Sequence, residues 1–169
     1  MFDIQKIIGK AKTSTFYLWL LNFGLNRMVP FNRPHGFKIV KLTDESIETK
    51  LPFKTLNFNH IRSVHACALA TLTEFTTGVF LISKFGANKY RIILRNLQME
   101  YHYQGKTSVI AKFGLSEKEM RERVFIPLEN EESVDIICEV KTYDLNNNHI
   151  STGNVTWQIK EWAKVKTSV

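Results

Sequence analysis

The chain has 169 residues, of which 44% are hydrophobic and 12% aromatic, so it can bury one substantial core and is too short to favour two domains. Its formal net charge of +7 suits a partner that bears phosphates, such as a nucleotide-containing thioester, a nucleic acid or an anionic membrane. The lysines and arginines form no run of five or six, which argues against a nucleic-acid partner.

The first predicted element is an amphipathic helix over residues 12–28, which Pro30 and Pro34 end. Its broad apolar face comprises Phe16, Trp19, Leu20, Leu21 and Phe23, and the cation Arg27 lies near the same face. We expect this helix to pack over the sheet or its open edge. Two alternatives are a lid over a ligand tunnel and an anchor at a membrane surface.

The N-terminal sequence lacks the order of basic region, apolar region and small-residue cleavage site that marks a cleavable signal. The most apolar window nearby, residues 16–25, is too short to span a bilayer and contains Asn22. We therefore expect a cytoplasmic protein.

Residues 36–42 and 46–51 alternate as two strands of a hairpin. From Ala66 to about Ser83, apolar or small residues then occupy nearly every side, which predicts a helix buried all round. Glu74 is the one formal charge in this helix. An unpaired carboxylate costs several kcal/mol to bury, so Glu74 marks a candidate functional position.

The start of this helix is a second candidate functional position. Its unpaired backbone N–H groups and the positive end of the helix dipole suit a developing oxyanion. Ala66 and Glu74 are eight residues apart, or roughly 80° around the axis, so both can border one cleft.

The segments after the central helix are mostly strand-like, at residues 90–103, 107–113, 122–128, 133–143 and 150–162. A capping pattern within residues 116–123 predicts a short solvated helix, and the asparagines of 144–148 predict a turn. The chain is thus predicted to run from a helix through a hairpin and a long helix to further antiparallel strands.

Cys67 and Cys138 fall in the predicted core helix and a core strand, so we expect both to be reduced, buried thiols. Cys67 adjoins the candidate oxyanion position, and a nucleophilic role is the alternative to packing. No Cys/His cluster has metal-ligand spacing, and His60 and His65 alone are weak evidence for zinc, so no metal site is expected.

Asn59, His65 and Glu74 stand at a spacing that resembles the hotdog-fold acyl-CoA thioesterases of the phenylacetate-pathway (PaaI-like) type, in a thioesterase-like branch. The family pattern is Asn, two residues, Gly, two residues, His-Gly-Gly, a small apolar run, then Asp or Glu. The resemblance implies an α+β hotdog fold over about residues 34–162, in which a curved antiparallel β-sheet wraps a long central helix. The helix at 12–28 is then an addition within a single domain of residues 1–169.

The sequence departs from this pattern at its glycines. Arg62 stands where the family has the first glycine, and Ala66 and Cys67 replace the Gly-Gly after the histidine. An alanine still supplies an N–H but has less conformational freedom than glycine. Arg62 also places a permanent cation beside the site.

By resemblance, the Ala66 N–H polarises the thioester carbonyl, Asn59 orients substrate or water, and Glu74 acts as general base or nucleophile. His65 either holds the loop before the helix or exchanges protons. No cofactor is expected, because coenzyme A is part of the substrate.

Further substrate contacts are predicted at Arg62, Cys67 and Thr73. The cations Arg91 and Arg95 on the strand after the helix are candidate contacts for the phosphates of coenzyme A or of an acyl-carrier phosphopantetheine. Each of these cations has solvated surface charge as its alternative.

The resemblance also implies a homodimer or a tetramer, in which each site joins the loop of one chain to the acid of its partner. Two functions stay open: hydrolysis of acyl-CoA thioesters, and non-catalytic binding of an acyl or CoA ligand by a structural or regulatory dimer. A free Glu74 favours hydrolysis, whereas a salt bridge to Arg62 favours binding. A dehydratase is disfavoured, because His65 stands in a thioesterase context.

Overall fold

A computed structural model describes residues 4–86 and 88–166. Its helices are α1 (Ile4–Ala11), α2 (Thr15–Met28), α3 (Ala66–Phe85), α4 (Glu117–Met120) and α5 (Ile126–Asn130). Its strands are β1 (Lys38–Leu42), β2 (Ser46–Leu51), β3 (Tyr90–Tyr101), β4 (Val109–Gly114), β5 (Ser133–Asp144) and β6 (His149–Glu161).

The six strands form one antiparallel sheet in the order β1-β2-β4-β5-β6-β3. The long helix α3 packs against β2, β4, β5, β6 and β3, so the sheet curves around it. This is the α+β hotdog architecture that the sequence predicted, with the hairpin, the central helix and the late strands in the expected order.

Helix α3 approaches the sheet closely because glycines stand at two contact points. A Cβ on Gly78 would lie 3.2 Å from the Trp157 ring, and a Cβ on Gly153 would lie 2.6 Å from Thr73 Cγ2. The Trp157 indole N–H donates to Thr77 Oγ1 over 2.8 Å, which pairs the polar tip of a buried aromatic residue. Small residues and side-chain hydrogen bonds, such as this one and the bond between Thr49 and Thr76, therefore fix α3 on the sheet.

One stripe of α3 is not covered by its own chain. Over an 18-residue window of α3 the mean hydropathy is 1.4 and 61% of the window is buried, as in the core helix of a folded domain. The uncovered stripe comprises Cys67, Ala70, Thr71 and Glu74. The expectation of a helix buried all round is therefore wrong for this side, because no element among the described residues packs over it.

The N-terminal segment forms two helices instead of one. The predicted helix at 12–28 begins at Thr15, and α1 precedes it although the sequence analysis did not predict it. Ile8 and Ala11 of α1 are buried, and Gln5 Nε2 donates to the Ile82 carbonyl over 3.0 Å, so α1 packs near the C-terminal end of α3.

Helix α2 covers the edge strand β1. Asn22 Nδ2 donates to the Ile39 carbonyl over 2.9 Å, and its Oδ1 accepts from the Ile39 N–H over 2.7 Å. These two bonds imitate a neighbouring strand. The predicted contact with an open edge is thus present, but of the predicted apolar face Phe16 and Phe23 are exposed, whereas Leu21 is buried together with Leu25.

The strand predicted at residues 122–128 is wrong. Helix α4, a π-helical turn at Arg121–Phe125 and α5 form one helical segment, and Ser116 starts it with the predicted capping box. Met120, Val124 and Leu128 are buried at intervals of four residues, which is a helical period. Burial against the sheet overrides the β-forming residues of this segment.

Candidate active site

An apolar groove of about 610 Å³ lies between α3, β3 and the segment after α2. Its lining includes the uncovered stripe of α3, to which Glu74 belongs. The apolar walls include Val29, Phe31, Leu94, Leu97 and Trp157. Glu74 is the only carboxylate in this lining, so any acid–base chemistry in the groove depends on it.

The Glu74 carboxylate is half-buried and unpaired. Among residues 4–86 and 88–166, no hydrogen bond or ion pair reaches it, and burial raises its pKa above the ordinary range. Its Oε1 lies 3.9 Å from where a Cβ on Gly78 would be, so Gly78 leaves that flank open. An unpaired carboxylate with a raised pKa is a better proton acceptor than an ordinary one.

His65 caps the start of α3. Its Nδ1 accepts a hydrogen bond from the Cys67 N–H over 3.0 Å. This contact holds the first turn of the helix, and proton exchange by His65 stays a prediction. Within the described ranges, nothing accepts a hydrogen bond from the Ala66 N–H, which leaves it able to meet a ligand oxygen.

Asn59 organises the loop that precedes α3. Its Oδ1 accepts from the N–H groups of Ile61 and Ser63, and its Nδ2 donates to Ser63 Oγ over 2.8 Å. The amide is therefore occupied within the loop. This geometry makes Asn59 a positioning residue for the turn that leads to the helix N-terminus.

Arg62 occupies the tightest point of the same loop. Its φ of 57° lies in the left-handed region, which explains why a glycine suits this position. Its side chain is exposed, and the described residues contain no ion pair between Arg62 and Glu74. The pair that would favour a binding function is expected across the dimer interface, and it stays a prediction.

Ala66 and Glu74 lie at different levels of α3. At 1.5 Å per residue, the eight residues from Ala66 to Glu74 span about 12 Å along the helix axis. A base must come within hydrogen-bond reach of the attacking water, and an oxyanion donor within about 3 Å of the carbonyl oxygen.

The structure distributes the other predicted substrate contacts over different surfaces. Cys67 lines the groove, whereas Thr73 is buried beneath the helix with no hydrogen-bond partner for Oγ1 among the described residues. Arg91 lies beside Lys160 of β6 in the strand register, on the sheet face that points away from α3. Arg95 lies at a bulge in β3, between Leu94 and Asn96.

The two cysteines differ. Cys138 is buried as predicted, and burial raises its pKa to about 12. The expectation that Cys67 is buried is wrong, because it lies in the first turn of α3 on the uncovered stripe. In the described part of the chain, no group of three His, Cys, Asp or Glu side chains is placed to hold a metal ion.

Sequence reasoning missed most of the groove walls. Thr71 and Gly78 lie three residues before and four residues after Glu74, so helical spacing would have found them. Leu94 and Leu97 face the same groove only because the bulge at Arg95 shifts the alternation of β3, which no spacing rule predicts.

The chain matches the model of one protein family, described as a domain of unknown function (DUF4442), over residues 18–159. No curated protein matches the sequence significantly. The fold is shared with many solved structures at low sequence identity.

Three solved structures illustrate this likeness. A Pseudomonas aeruginosa protein described as a probable thioesterase is 18% identical, with a TM-score of 0.77 over 85% of this chain and 95% of that one. A Staphylococcus aureus thioesterase is 12% identical, with a TM-score of 0.63 over 78% and 99%. A Haemophilus influenzae thioesterase is 10% identical, with a TM-score of 0.63 over 81% and 88%. These likenesses show the hotdog fold.

Proposed function

Because the chain belongs to the DUF4442 family and shares the fold of thioesterases, we propose that it hydrolyses acyl-CoA thioesters with Glu74 as the base. The observation that carries this proposal is the state of Glu74. It is the only carboxylate in an apolar groove, it has no partner among the described residues, and burial raises its pKa. A purely structural role gives no reason to keep such a group there.

In this reaction Glu74 takes a proton from a water molecule, and the water oxygen attacks the thioester carbonyl carbon. The carbonyl oxygen becomes an oxyanion that the Ala66 N–H and the dipole of α3 stabilise. The carbon–sulfur bond then breaks, the proton passes from Glu74 to the thiolate, and acid and thiol leave. General-base catalysis contributes typically 10²–10⁴ in rate, and one oxyanion donor about 10²–10³.

In this proposal the site is shared by two copies of the chain. Since about 12 Å separates Ala66 from Glu74 along one helix, the donor that works with Glu74 comes from a partner chain in this proposal. Strand β3 supports the pairing, because its 12 residues have a strand neighbour on one side only. Exposed Ile93 and Leu94 add apolar surface to this edge. We infer a homodimer joined along β3.

A spacing in one relative supports Glu74 further. In two solved variants of the Staphylococcus aureus thioesterase, a glutamine and a glutamate that lie 15 positions apart are replaced by alanine. Asn59 and Glu74 are also 15 positions apart. In this chain the two positions hold an amide side chain before α3 and a carboxylate within α3, and the spacing equals that of the two replaced residues.

The groove selects an apolar acyl group, since aliphatic and aromatic side chains form its walls. Neither Arg91 nor Arg95 is among the described residues that line the groove, so the contacts of these two cations with phosphates stay predictions. In the proposed dimer, the coenzyme A moiety stays outside the groove near such cations.

The experiment measures thiol release from short-chain, long-chain and aryl acyl-CoAs by the wild type, Glu74→Gln and Glu129→Gln. Glu129 is an exposed carboxylate on α5, away from β3, and serves as the matched control. We expect Glu74→Gln to lower kcat by about 10²–10⁴ and Glu129→Gln to have little effect. Equal activity of the wild type and Glu74→Gln would contradict the mechanism.

The non-catalytic alternative gives a different result in the same assay. A protein that only binds would release thiol from no member of the panel, yet calorimetry would still detect a CoA or acyl-CoA ligand. That outcome would favour a structural or regulatory dimer.

A further inference from the structure

The positive charge of the protein is concentrated near its N-terminus. Residues 44–169 carry 16 lysines and arginines against 15 carboxylates, so they are nearly neutral. Residues 4–43 contain no carboxylate and seven cations, which are Lys6, Lys10, Lys12, Arg27, Arg33, Lys38 and Lys41. Lys12 pairs with Asp44 over 2.6 Å, and the segment still keeps a large positive excess. Such a surface attracts an anionic partner.

The same segment exposes three aromatic side chains on α2. Phe16, Trp19 and Phe23 are 62%, 59% and 48% exposed. Their rings stack in sequence, with centroids 6.1 Å and 5.7 Å apart. The Arg27 guanidinium lies 4.8 Å from the Phe23 ring. Phe16, Trp19 and Phe23 form what we call the aromatic ridge.

The fold of the chain does not use the aromatic ridge. Helix α2 attaches to the protein through buried Leu21 and Leu25 and through the bonds from Asn22 to β1. A helix with one attached face and a second, exposed apolar face is typical of an interaction surface. Met28 and Phe31 extend the apolar exposure beyond the end of the helix.

Tryptophan and phenylalanine beside lysine and arginine are the side chains that interfacial helices place at the headgroup boundary of a bilayer. We propose that the aromatic ridge docks the protein on an anionic phospholipid bilayer, with Arg27 beside it against the lipid phosphates. A second copy of the chain fits this face poorly, because two segments with a large excess of positive charge would repel one another.

The docked face borders two apolar spaces. Phe23 and Met28 line a cavity of about 770 Å³ between α1, α2 and the end of α3. Val29 and Phe31, which are exposed near the aromatic ridge, line the groove of Glu74. If the proposed function holds, a bilayer-dissolved acyl thioester reaches Glu74 from this side. The docking itself does not depend on that function.

The test is co-sedimentation of the full chain with two kinds of vesicle. One kind is phosphatidylcholine alone, and the other mixes phosphatidylcholine with an equal amount of phosphatidylglycerol. We expect binding to the anionic vesicles only, with a loss of binding at high salt because screening weakens the attraction. Failure to bind anionic vesicles, or equal binding to both kinds, would overturn the proposal.

Variants locate the docking face. Trp19→Ala is expected to weaken binding at least about tenfold, because a large aromatic side chain no longer leaves water. Arg27→Gln is expected to weaken it about fivefold. The matched controls are Ile137→Ala on the exposed face of β5 and Lys118→Gln on α4, both exposed and outside the N-terminal segment. Equal losses in the controls would contradict docking through the aromatic ridge.

Two other partners of the aromatic ridge, a second copy of the chain and a nucleic acid, would give different results in these experiments. If Trp19→Ala changed the oligomeric state in size-exclusion chromatography and left vesicle binding unchanged, the aromatic ridge would be a contact between copies. If a DNA or RNA duplex displaced the protein from anionic vesicles and Trp19→Ala weakened both interactions, the face would be assigned to nucleic acid. Either result overturns the bilayer proposal.

Discussion

At one edge of the sheet β1 is covered by α2 of the same chain, whereas at the other edge β3 has no strand neighbour beyond β6 among the described residues. At the closed edge, Asn22 pairs both backbone groups of Ile39. The open edge borders the groove that holds the unpaired Glu74.

The chain pairs both backbone groups of Ile39 where α2 covers the sheet, and it leaves one side of β3 without a strand neighbour where we propose that a second copy binds. The Ala66 N–H lies on the open side as well, since Tyr101 at the end of β3 donates its hydroxyl to the Ala66 carbonyl over 3.2 Å. The Glu74 carboxylate and the Ala66 N–H, which have no partner among the described residues, thus both lie near β3. Variants at the closed edge serve as a comparison.

The largest effect at the open side is expected from Ala66→Pro. Proline removes the N–H that would meet the oxyanion but is well tolerated in the first turn of a helix. His65 has φ of −68° and ψ of 138°, which suits a residue before proline. We expect kcat to fall by about 10²–10³ with unchanged circular dichroism. Retention of full activity would exclude this N–H as the donor.

The closed edge is tested by Asn22→Ala, which leaves the N–H and carbonyl of Ile39 without partners. We expect a loss of about 1–3 kcal/mol in the free energy of unfolding, measured by urea denaturation at fixed protein concentration. Asn26→Ala is the matched control, because Asn26 makes one longer bond of 3.4 Å to the strand segment. Similar losses in both variants would show that the edge bonds are not what stabilises this contact.

A smaller effect is expected from Arg62→Gly in the loop beside the open side. Relief of the left-handed conformation should raise the free energy of unfolding by about 1 kcal/mol. Asn147→Gly is the control, since Asn147 has a similar φ of 62° and asparagine tolerates it well. An equal gain at both positions would mean that the arginine side chain is not strained in particular.

The smallest stability effect concerns the pH dependence at Glu74. Because burial raises its pKa in the folded state, the protonated form is the more stable one, and this stabilisation is lost as pH rises through the folded pKa. Glu74→Gln should therefore be more stable than the wild type at pH 7, with a difference that shrinks in acid. A wild type that is the more stable at neutral pH would indicate a partner for the carboxylate.

The sequence predicted the elements whose pattern is local. Helix α3 and the β1–β2 hairpin follow from apolar periodicity, and Glu74 was identified because it is the only charge in an apolar run. The helical segment at 122–128 was missed because its β-branched and aromatic residues resemble a strand, while burial of Met120, Val124 and Leu128 decides for a helix.

The groove was less predictable, because its walls depend on distant pairing. The bulge at Arg95 turns Leu94 and Leu97 toward the same side, and only the pairing with β6 determines that. The exposed face of α2 was misassigned for a similar reason: both of its faces are apolar, and the hydrogen bonds of Asn22 select which one meets β1.

The most direct test of a site shared by two chains is complementation. Ala66→Pro and Glu74→Gln are each expected to be nearly inactive alone. In a mixed dimer, the N–H of one chain and the carboxylate of the other rebuild one site, so random mixing should restore about a quarter of wild-type thiol release. Activity no greater than that of the two single variants, in a sample shown to contain mixed dimers, would place the whole site in one chain and contradict the account.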